Sequence, residues 1–183
     1  CGVDKAATNI DNMVLTIVEN PVADAGDDDT ICESDVPYQL AATADGDYSS
    51  ISWTSSGTGT FTTADIEDPT YTPSAADVTA GSVTLTMTLG YTSPCGDSKI
   101  ALNTDDMILT IVENPVADAG NDDTVCEDEG AYSLDATLGG DYSSISWTSS
   151  GTGTFTTADI EDPTYTPSQA DIDNGSVTLT VTL

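Results

Sequence analysis

Apolar and polar residues alternate strictly over several short runs of the chain. In residues 82–89, Val, Leu, Met and Leu occupy one face and hydroxyl side chains occupy the other. A second strong run covers residues 107–112, and shorter runs cover residues 38–42 and 50–54. A period of two residues is typical of half-buried β-strands. The pattern therefore predicts short strands bounded by Gly, Pro, Asp and Ser.

The same pattern recurs along the chain with a constant offset of 94 residues. The sequence Pro-Val-Ala-Asp-Ala-Gly at residues 21–26 returns at residues 115–120, and residues 46–74 are identical to residues 140–168. Self-similarity at a fixed period indicates a tandem array of structural units.

This offset predicts one whole repeat flanked by two incomplete ones. Residues 1–20 are the terminal strand of a preceding repeat, residues 21–114 are a complete repeat, and residues 115–183 are a second repeat that lacks its last strand. Such a chain is either a cut from a continuous array or a subunit of a polymer. In the polymer, residues 1–20 would complete the truncated repeat of a neighbour by strand addition.

The strand content and spacing predict an all-β fold of tandem immunoglobulin-like, PKD-like sandwiches. About seven short strands per repeat are typical of such a sandwich, with Trp53 and its counterpart Trp147 in the core. Helical periodicity is confined to residues 73–78, where Ser or Pro stands near the start of a predicted helical turn. The junction at residues 113–115 is too short for a flexible tether, which predicts an extended, stiff rod.

Charge narrows the choice of partners. The chain has 32 acidic residues against two basic ones, no histidine, and a net charge of −30. Nucleic acid and anionic membranes are excluded as partners, because phosphate binding needs clustered Lys and Arg. No segment is long and apolar enough for insertion into a membrane. Without His or Arg, the usual nucleophile and phosphate-binding sets cannot be assembled, so the chain is predicted not to be an enzyme.

The repeat resembles the PKD-like, immunoglobulin-type repeats of giant surface adhesins of Bacteroidota, such as the gliding adhesins exported by type IX secretion. The resemblance rests on residues 23–26, 31–33, 52–61, 69–74, 81–86 and 107–111. It implies an extracellular, secreted protein displayed at the cell surface.

From the resemblance and the repeats, we expect a structural segment of an adhesin or filament, a stiff stalk or fibre that supports adhesion or gliding. Its partners would be neighbouring repeats or copies of the same protein. The alternative is a repeated module that binds surface glycans or a protein, which would need exposed aromatic residues. Tyr48 and Tyr91 are the candidates.

Two cysteines per repeat predict disulfides, because a secreted protein is in an oxidising environment. The candidates are Cys1, Cys32, Cys95 and Cys126. Pairing of Cys32 with Cys95 within one repeat is the simple choice. Strand direction places these two residues at opposite poles of the sandwich, which favours pairing of Cys32 with the counterpart of Cys95 in the following repeat. Both arrangements stay open.

Acidic clusters and short acceptor patterns suggest two further kinds of site. Carboxylates in a loop are suitable ligands for Ca²⁺, although the spacing is not that of an EF-hand and a solvated acidic turn is favoured. The calcium candidates are Asp24, Asp27, Asp28 and Asp29 in one repeat and Asp118, Asp122 and Asp123 in the next. The pattern Asp-Ser/Thr-apolar predicts O-glycosylation at Thr30 and Thr124.

Overall fold

The structure is a computed structural model, and it describes residues 11–94 and 102–183. Apart from two single-turn helices, its regular elements are all strands, which confirms the predicted all-β fold class. Neither helix is long or apolar enough to cross a membrane, among the residues that the structure describes.

The first group of elements folds as a two-layered sandwich. Its elements are β1 (Val22–Asp24), β2 (Asp29–Cys32), β3 (Tyr38–Gln39), β4 (Thr43–Asp45), β5 (Tyr48–Ser55), β6 (Thr60–Phe61), β7 (Thr70–Thr72), α1 (Ala75–Ala80), β8 (Ser82–Tyr91) and β9 (Thr104–Val112). One layer has the order β2-β9-β8-β5, in which β2 and β9 are parallel. The other layer contains β3-β7-β6 and the pair β1-β4. This division of strands is that of an immunoglobulin-like sandwich.

Strict alternation on β8 determines which of its faces is buried. Leu85, Met87 and Leu89 are 0% exposed, while the intervening threonines lie on the other face. These side chains pack in one core cluster with Trp53 of β5 and Tyr71 of β7, which come from opposite layers. Burial of such side chains contributes roughly 1.5–3 kcal/mol each to folding.

The second group of elements repeats this order at the offset of 94 residues. Its elements are β10 (Val116–Asp118), β11 (Tyr132–Ser133), β12 (Thr137–Gly139), β13 (Ser146–Ser149), β14 (Thr154–Phe155), β15 (Thr164–Thr166), α2 (Gln169–Asn174) and β16 (Leu179–Thr182). Their pairings are β10-β12, β11-β15-β14 and β13-β16. A separate core forms around Leu134, Ala136 and Trp147.

The run at residues 38–42 is not the single strand that its pattern predicts. The Leu40 N–H donates to the Pro69 carbonyl oxygen at 3.1 Å, and the Ala42 N–H donates to Asp68 Oδ1 at 2.8 Å. Because a side chain takes the place of a strand partner, the ladder is interrupted: β3 ends at Gln39, and β4 begins only at Thr43.

Candidate functional site

Strand β9 completes one layer of the first sandwich by pairing on both of its sides. Leu109 lies opposite Asp29 of β2 on one side and opposite Val83 of β8 on the other. The inward side chains of Leu109 and Ile111 are 0% and 2% exposed. Since both edges of β9 are paired and its inner face is buried, the closure of this layer depends on β9.

Two carboxylates fasten β9 to the region where β1 ends and β2 begins. The Ile108 N–H donates to Asp28 Oδ1 at 2.7 Å, and the Ala25 N–H donates to Asp105 Oδ2 at 2.8 Å. In the first bond β9 supplies the backbone donor, and in the second β9 supplies the carboxylate that accepts. Each satisfies a backbone donor that would otherwise lack a partner in the ladder.

The corresponding edge of the second group of strands is open. Among the described residues, β16 pairs only with β13. Residues 123–126, the counterpart of β2, form no strand in the described stretch 102–183. A cavity of about 530 Å³ has residues 123–127 on one wall and residues 175–177 on another. In the first sandwich, the end of β9 occupies this position.

Core positions next to the unpaired side of β16 are more exposed to solvent than their counterparts in the first sandwich. Ala25 is 0% exposed in the first sandwich, whereas Ala119 is exposed in the second group. Leu85 on β8 is 0% exposed, whereas Leu179 on β16 is only half-buried. The residues at these positions are identical, so the difference comes from the cover that β9 gives to the first sandwich.

Residues 11–17 carry the apolar pattern of β9 but form no strand or helix. Met13, Leu15 and Ile17 are 83%, 72% and 81% exposed, while their counterparts in β9 are at most 2% exposed. Residues 11–17 therefore carry the sequence pattern of β9 without its pairing among the described residues.

The predicted calcium residues of the first repeat do come together, lining one cavity with Tyr38 and Met107. Asp24 and Asp29 accept hydrogen bonds from the protein itself: the Gly26 N–H donates to Asp24 Oδ1 at 3.0 Å, and the Tyr38 hydroxyl donates to Asp29 Oδ2 at 3.0 Å. Partial burial, together with this bond to Asp29, raises the pKa of Tyr38 to about 12.

The second acidic cluster has the same internal bonds. The Gly120 N–H donates to Asp118 Oδ1 at 3.0 Å, and the Tyr132 hydroxyl donates to Asp123 Oδ2 at 2.9 Å. Within residues 11–94 and 102–183, no group of three or more His, Cys, Asp or Glu is placed to hold a metal ion. The calcium site stays a prediction from the sequence.

The two described cysteines lie at equivalent positions of the two repeats. Cys32 ends β2 opposite Val112, at the end of the sandwich from which the chain leaves. Cys32 and Cys126 are exposed, and neither is bonded to another cysteine of the described residues. Cys1 and Cys95 lie outside the described residues, so both disulfide arrangements stay predictions.

The threonines of the predicted O-glycosylation pattern are both exposed. The backbone N–H of Thr30 donates to Asp29 Oδ1 at 2.7 Å, and that of Thr124 donates to Asp123 Oδ1 at 2.7 Å. These bonds involve the backbone and leave the hydroxyl groups accessible, so O-glycosylation also stays a prediction.

The most heavily bonded polar residue of each sandwich was not predicted from the sequence. Asp77 is 3% exposed, and its Oδ2 accepts bonds from the Gly59 N–H at 2.8 Å, the Ser74 N–H at 3.0 Å and the Tyr71 hydroxyl at 2.8 Å. Its Oδ1 accepts a bond from the Thr58 N–H at 2.9 Å. Asp77 stands three residues after the N-cap of α1, as in a capping box, and this spacing is the sequence signal that could have found it.

The hydrogen bonds to the Asp77 carboxylate lower its pKa more than burial raises it. Burial alone would raise the pKa of Asp77, but the backbone N–H groups of Ser74 and Thr58 and the Tyr71 hydroxyl hold it below its usual value. Asp171 in the second group has the same set of donors, led by the Ser168 N–H, and its pKa is also lowered. Both carboxylates are therefore ionised in the folded protein at neutral pH.

The fold and its repeated cores define an all-β protein of immunoglobulin-like sandwich class. Among solved structures, the chain is similar to the extracellular cadherin domains 1–4 of protocadherin gamma B7, with a TM-score of 0.48 and 13% sequence identity. The similarity covers 89% of this chain and 45% of that one. No family model matches the sequence, and no curated protein matches it.

Proposed function

We propose that this chain is a structural repeat segment of an extracellular surface adhesin or filament. In this proposal, sandwiches stacked end to end form a stiff stalk or fibre that supports adhesion or gliding, without catalysing a reaction. Neighbouring repeats or copies of the protein are its partners.

The connection from β9 to β10 is the observation that carries this proposal. The Asn114 N–H donates to Glu33 Oε1 of the preceding sandwich at 3.2 Å. The Glu113 N–H donates to Asp141 Oδ2 of the following group at 2.9 Å, and the Asp141 N–H returns a bond to the Glu113 carbonyl oxygen at 3.2 Å. A connection bonded to both of its neighbours restricts their relative movement, as a stalk requires.

The same contact occurs where residues 11–20 meet the first sandwich. The Glu19 N–H donates to Asp47 Oδ2 at 2.8 Å, which is the counterpart of the bond from Glu113 to Asp141. A contact that recurs at successive junctions supports a regular array.

Gly140 makes the close approach at the junction possible. Its φ is +73°, and a Cβ at this position would overlap the carbonyl group of Asn114. Gly46 is its counterpart in the first sandwich, with a φ of +76° and the same closeness to Asn20. Glycine is required at both positions for its conformation and for the space it leaves.

The stiffness of the junction can be tested by NMR relaxation of the 183-residue chain. We expect residues of both sandwiches to report one shared rotational correlation time, because a bonded junction makes them tumble together. Gly140→Val should separate the two correlation times. Gly46→Val is the matched control, since it strains the equivalent turn but leaves the junction at residues 113–115 intact. Independent tumbling in the unaltered chain would contradict the stalk.

The cellular part of the proposal needs native material. Antibodies against the repeat should label fibres or stalks outside intact cells in electron micrographs. Labelling that requires permeabilised cells would contradict an extracellular role.

A further inference from the structure

We propose that the peptide bond between Asp45 and Gly46 rearranges to isoaspartate in the folded protein, through a cyclic imide. The rearrangement lengthens the backbone by one atom at the end of β4. It is independent of the proposed function, because it depends on the groups around one peptide bond and not on the stalk. Three observations carry it: the sequence at this position, the contact of the carboxyl group with the next nitrogen, and the exposure of the side chain.

Asp45 is followed by glycine, which distinguishes it from every other Asp of the chain. Attack of a backbone nitrogen on the preceding carboxyl carbon is hindered by the side chain of the residue that carries the nitrogen. Glycine has no side chain, and its backbone is the least restricted of all residues. The second repeat has Gly139 and Gly140 at the equivalent positions, so it has the glycine but no carboxyl group. Of these two equivalent turns, only the one at residues 45–46 can therefore rearrange.

The turn after β4 brings the two reacting groups together. The Gly46 N–H donates to Asp45 Oδ1 at 2.8 Å, a local contact that places the nitrogen beside Cγ, the carbon that carries Oδ1. Gly46 has a φ of +76° and lies just outside the strand. The Asp45 side chain is exposed, so a water molecule can leave the site and another can enter it.

Three other carboxylates contact the next backbone nitrogen but lack the rest of this arrangement. Asp11, Asp29 and Asp123 each accept a hydrogen bond from the N–H of the following residue. That residue is Asn or Thr, whose side chain hinders attack by its nitrogen. Asp29 and Asp123 are also held through Oδ2 by a tyrosine hydroxyl. The contact and the glycine occur together at Asp45.

The rearrangement needs no reagent other than water. The Gly46 nitrogen attacks Cγ of the protonated Asp45 carboxyl group, and a C–N bond forms as the bond from Cγ to the hydroxyl oxygen breaks. The hydroxyl group leaves with the amide proton as water. Water then adds to one of the two ring carbonyls. Opening between Cγ and the nitrogen restores aspartate, whereas opening between the Asp45 carbonyl carbon and the nitrogen leaves isoaspartate, in which the backbone passes through Cβ and Cγ.

The Asn-Gly pair at residues 174–175 supplies an internal comparison. Such a pair undergoes the same cyclisation with loss of ammonia, and Asn is a thermolabile residue for this reason. The Gly175 N–H, however, donates to the carbonyl oxygens of Asp171 and Ile172, both at 3.0 Å, as the cap of α2. Its nitrogen is therefore bonded to the helix and not to the Asn174 side chain. We expect the fold to protect Asn174 and to leave Asp45 reactive.

The added backbone atom falls beside the contact with the preceding segment. A Cβ on Gly46 would overlap the carbonyl group of Asn20, and Asp47 Oδ2 accepts a bond from the Glu19 N–H at 2.8 Å. A longer backbone between Asp45 and Asp47 cannot keep both contacts in place. Isoaspartate at residue 45 should therefore loosen this junction, while the equivalent one at residues 113–115 keeps its geometry.

Peptide mapping of the 183-residue chain after several weeks at mildly acidic and at neutral pH tests the assignment. We expect isoaspartate at residue 45, preceded by a form of the peptide that is lighter by one water. Incubation in urea gives the rates of the unfolded chain. Asp45 should convert at a similar rate in both states, whereas Asn174 should convert at least about tenfold more slowly in the folded chain. Unchanged aspartate at residue 45 of the folded chain, or equal protection of Asp45 and Asn174, would overturn the proposal.

Three variants at residue 45 test the ring mechanism. Asp45→Glu keeps the charge but needs a larger ring, so its rearrangement should be at least about tenfold slower. Asp45→Asn loses ammonia in place of water and should convert faster than the unaltered chain at neutral pH. Asp45→Gly reproduces the second repeat and should give no product. Because residue 45 is exposed, circular dichroism should be the same for all three. Equal yields from the unaltered chain and Asp45→Glu would exclude the cyclic imide.

Hydrogen exchange of the separated isoaspartate form tests the effect on the junction. The Glu19 N–H should exchange at least about tenfold faster than in the unaltered chain, because its bond to Asp47 is displaced. The Glu113 N–H, which bonds to Asp141 in the equivalent place, is the control and should keep its rate. An unchanged rate at Glu19 in the isoaspartate form would contradict the loosened junction.

Discussion

Asp77 joins three parts of its sandwich that are distant in sequence. Its carboxylate bonds to the turn at residues 57–59, to Tyr71 on β7 and to the start of α1. Gly57 and Gly59 are required in that turn, since a Cβ at either position would overlap Asp77 or Tyr71. The segment Ser-Ser-Gly-Thr-Gly at residues 55–59 therefore supplies backbone donors that surround a buried carboxylate.

Replacing Asp77 by Asn should destabilise the first sandwich by about 2–3 kcal/mol. An amide retains one acceptor oxygen, but its NH₂ group faces donors and leaves them unsatisfied. Denaturant unfolding followed by Trp fluorescence measures the loss. Asp65→Asn is the control, because Asp65 is exposed and its replacement should change stability by less than about 0.5 kcal/mol. Similar losses of stability in both variants would contradict a stabilising role of the buried Asp77 carboxylate.

The lowered pKa of Asp77 and Asp171 predicts acid sensitivity. A carboxyl group has a pKa of about 3.9 in the unfolded chain. Below that pH the unfolded state binds more protons than the folded state, so the free energy of unfolding should fall as the pH drops from about 4 towards the lower folded pKa. Denaturant titrations between about pH 2 and pH 6 measure this slope. The double variant Asp77→Asn, Asp171→Asn should have a shallower slope, and an unchanged slope would contradict the assignment.

At the scale of elements, the two long strands could be predicted because they alternate without interruption. The runs at residues 82–89 and 107–112 appear within β8 and β9, whose inward positions carry Val, Leu, Met and Ile. Strands β1, β6 and β7 are two or three residues long and leave too little pattern to detect. Residue 77 was overlooked because Asp is so abundant that no single carboxylate stands out by type.

The open edge could be predicted only in outline. The repeat offset aligns residues 123–126 with β2, but it does not show whether they form a strand. In the structure they have no strand, although Asp-Thr-Val-Cys there differs from β2 by one residue. The same local sequence thus forms a strand only where β9 is present, because a parallel pairing partner supplies its hydrogen bonds.

Hydrogen exchange should distinguish the closed edge from the open one. Amides of β8 at residues 85–88 should be protected, since β9 and β5 pair with that strand on both sides. Amides at the equivalent positions of β16 that point away from β13 should exchange at least about tenfold faster. Mass spectrometry or NMR of the 183-residue chain gives the comparison. Equal protection in the two strands would contradict an open edge.

At the scale of the whole molecule, the two sandwiches differ in how many hydrophobic residues their cores bury. Among the described residues, the first contains twelve buried hydrophobic residues, from Ala25 to Ile111, and the second contains three, Leu134, Ala136 and Trp147. Since apolar burial is the main favourable term in folding, the first sandwich should be the more stable of the two.

Thermal unfolding of the 183-residue chain should therefore have two transitions. Trp53→Phe and Trp147→Phe variants each leave one tryptophan, so fluorescence assigns each transition to a sandwich. We expect the signal of Trp147 to change at the lower temperature. Ile111→Ser should lower only the Trp53 transition, because it removes an apolar contact of β9 and places a hydroxyl in the core. A single shared transition would contradict the unequal cores.

The parallel pairing of β2 with β9 determines how the first sandwich bears tension. The chain enters through β1 in the other layer, continues into β2 and leaves from the end of β9. Strands β2 and β9 are paired from Asp29 with Leu109 to Cys32 with Val112. Pulling on the two ends drives parallel neighbours past each other along their length. Their hydrogen bonds are then loaded together in shear rather than opened one after another, so extension requires several bonds to break at once. The strand order that closes the layer also gives the sandwich its mechanical resistance.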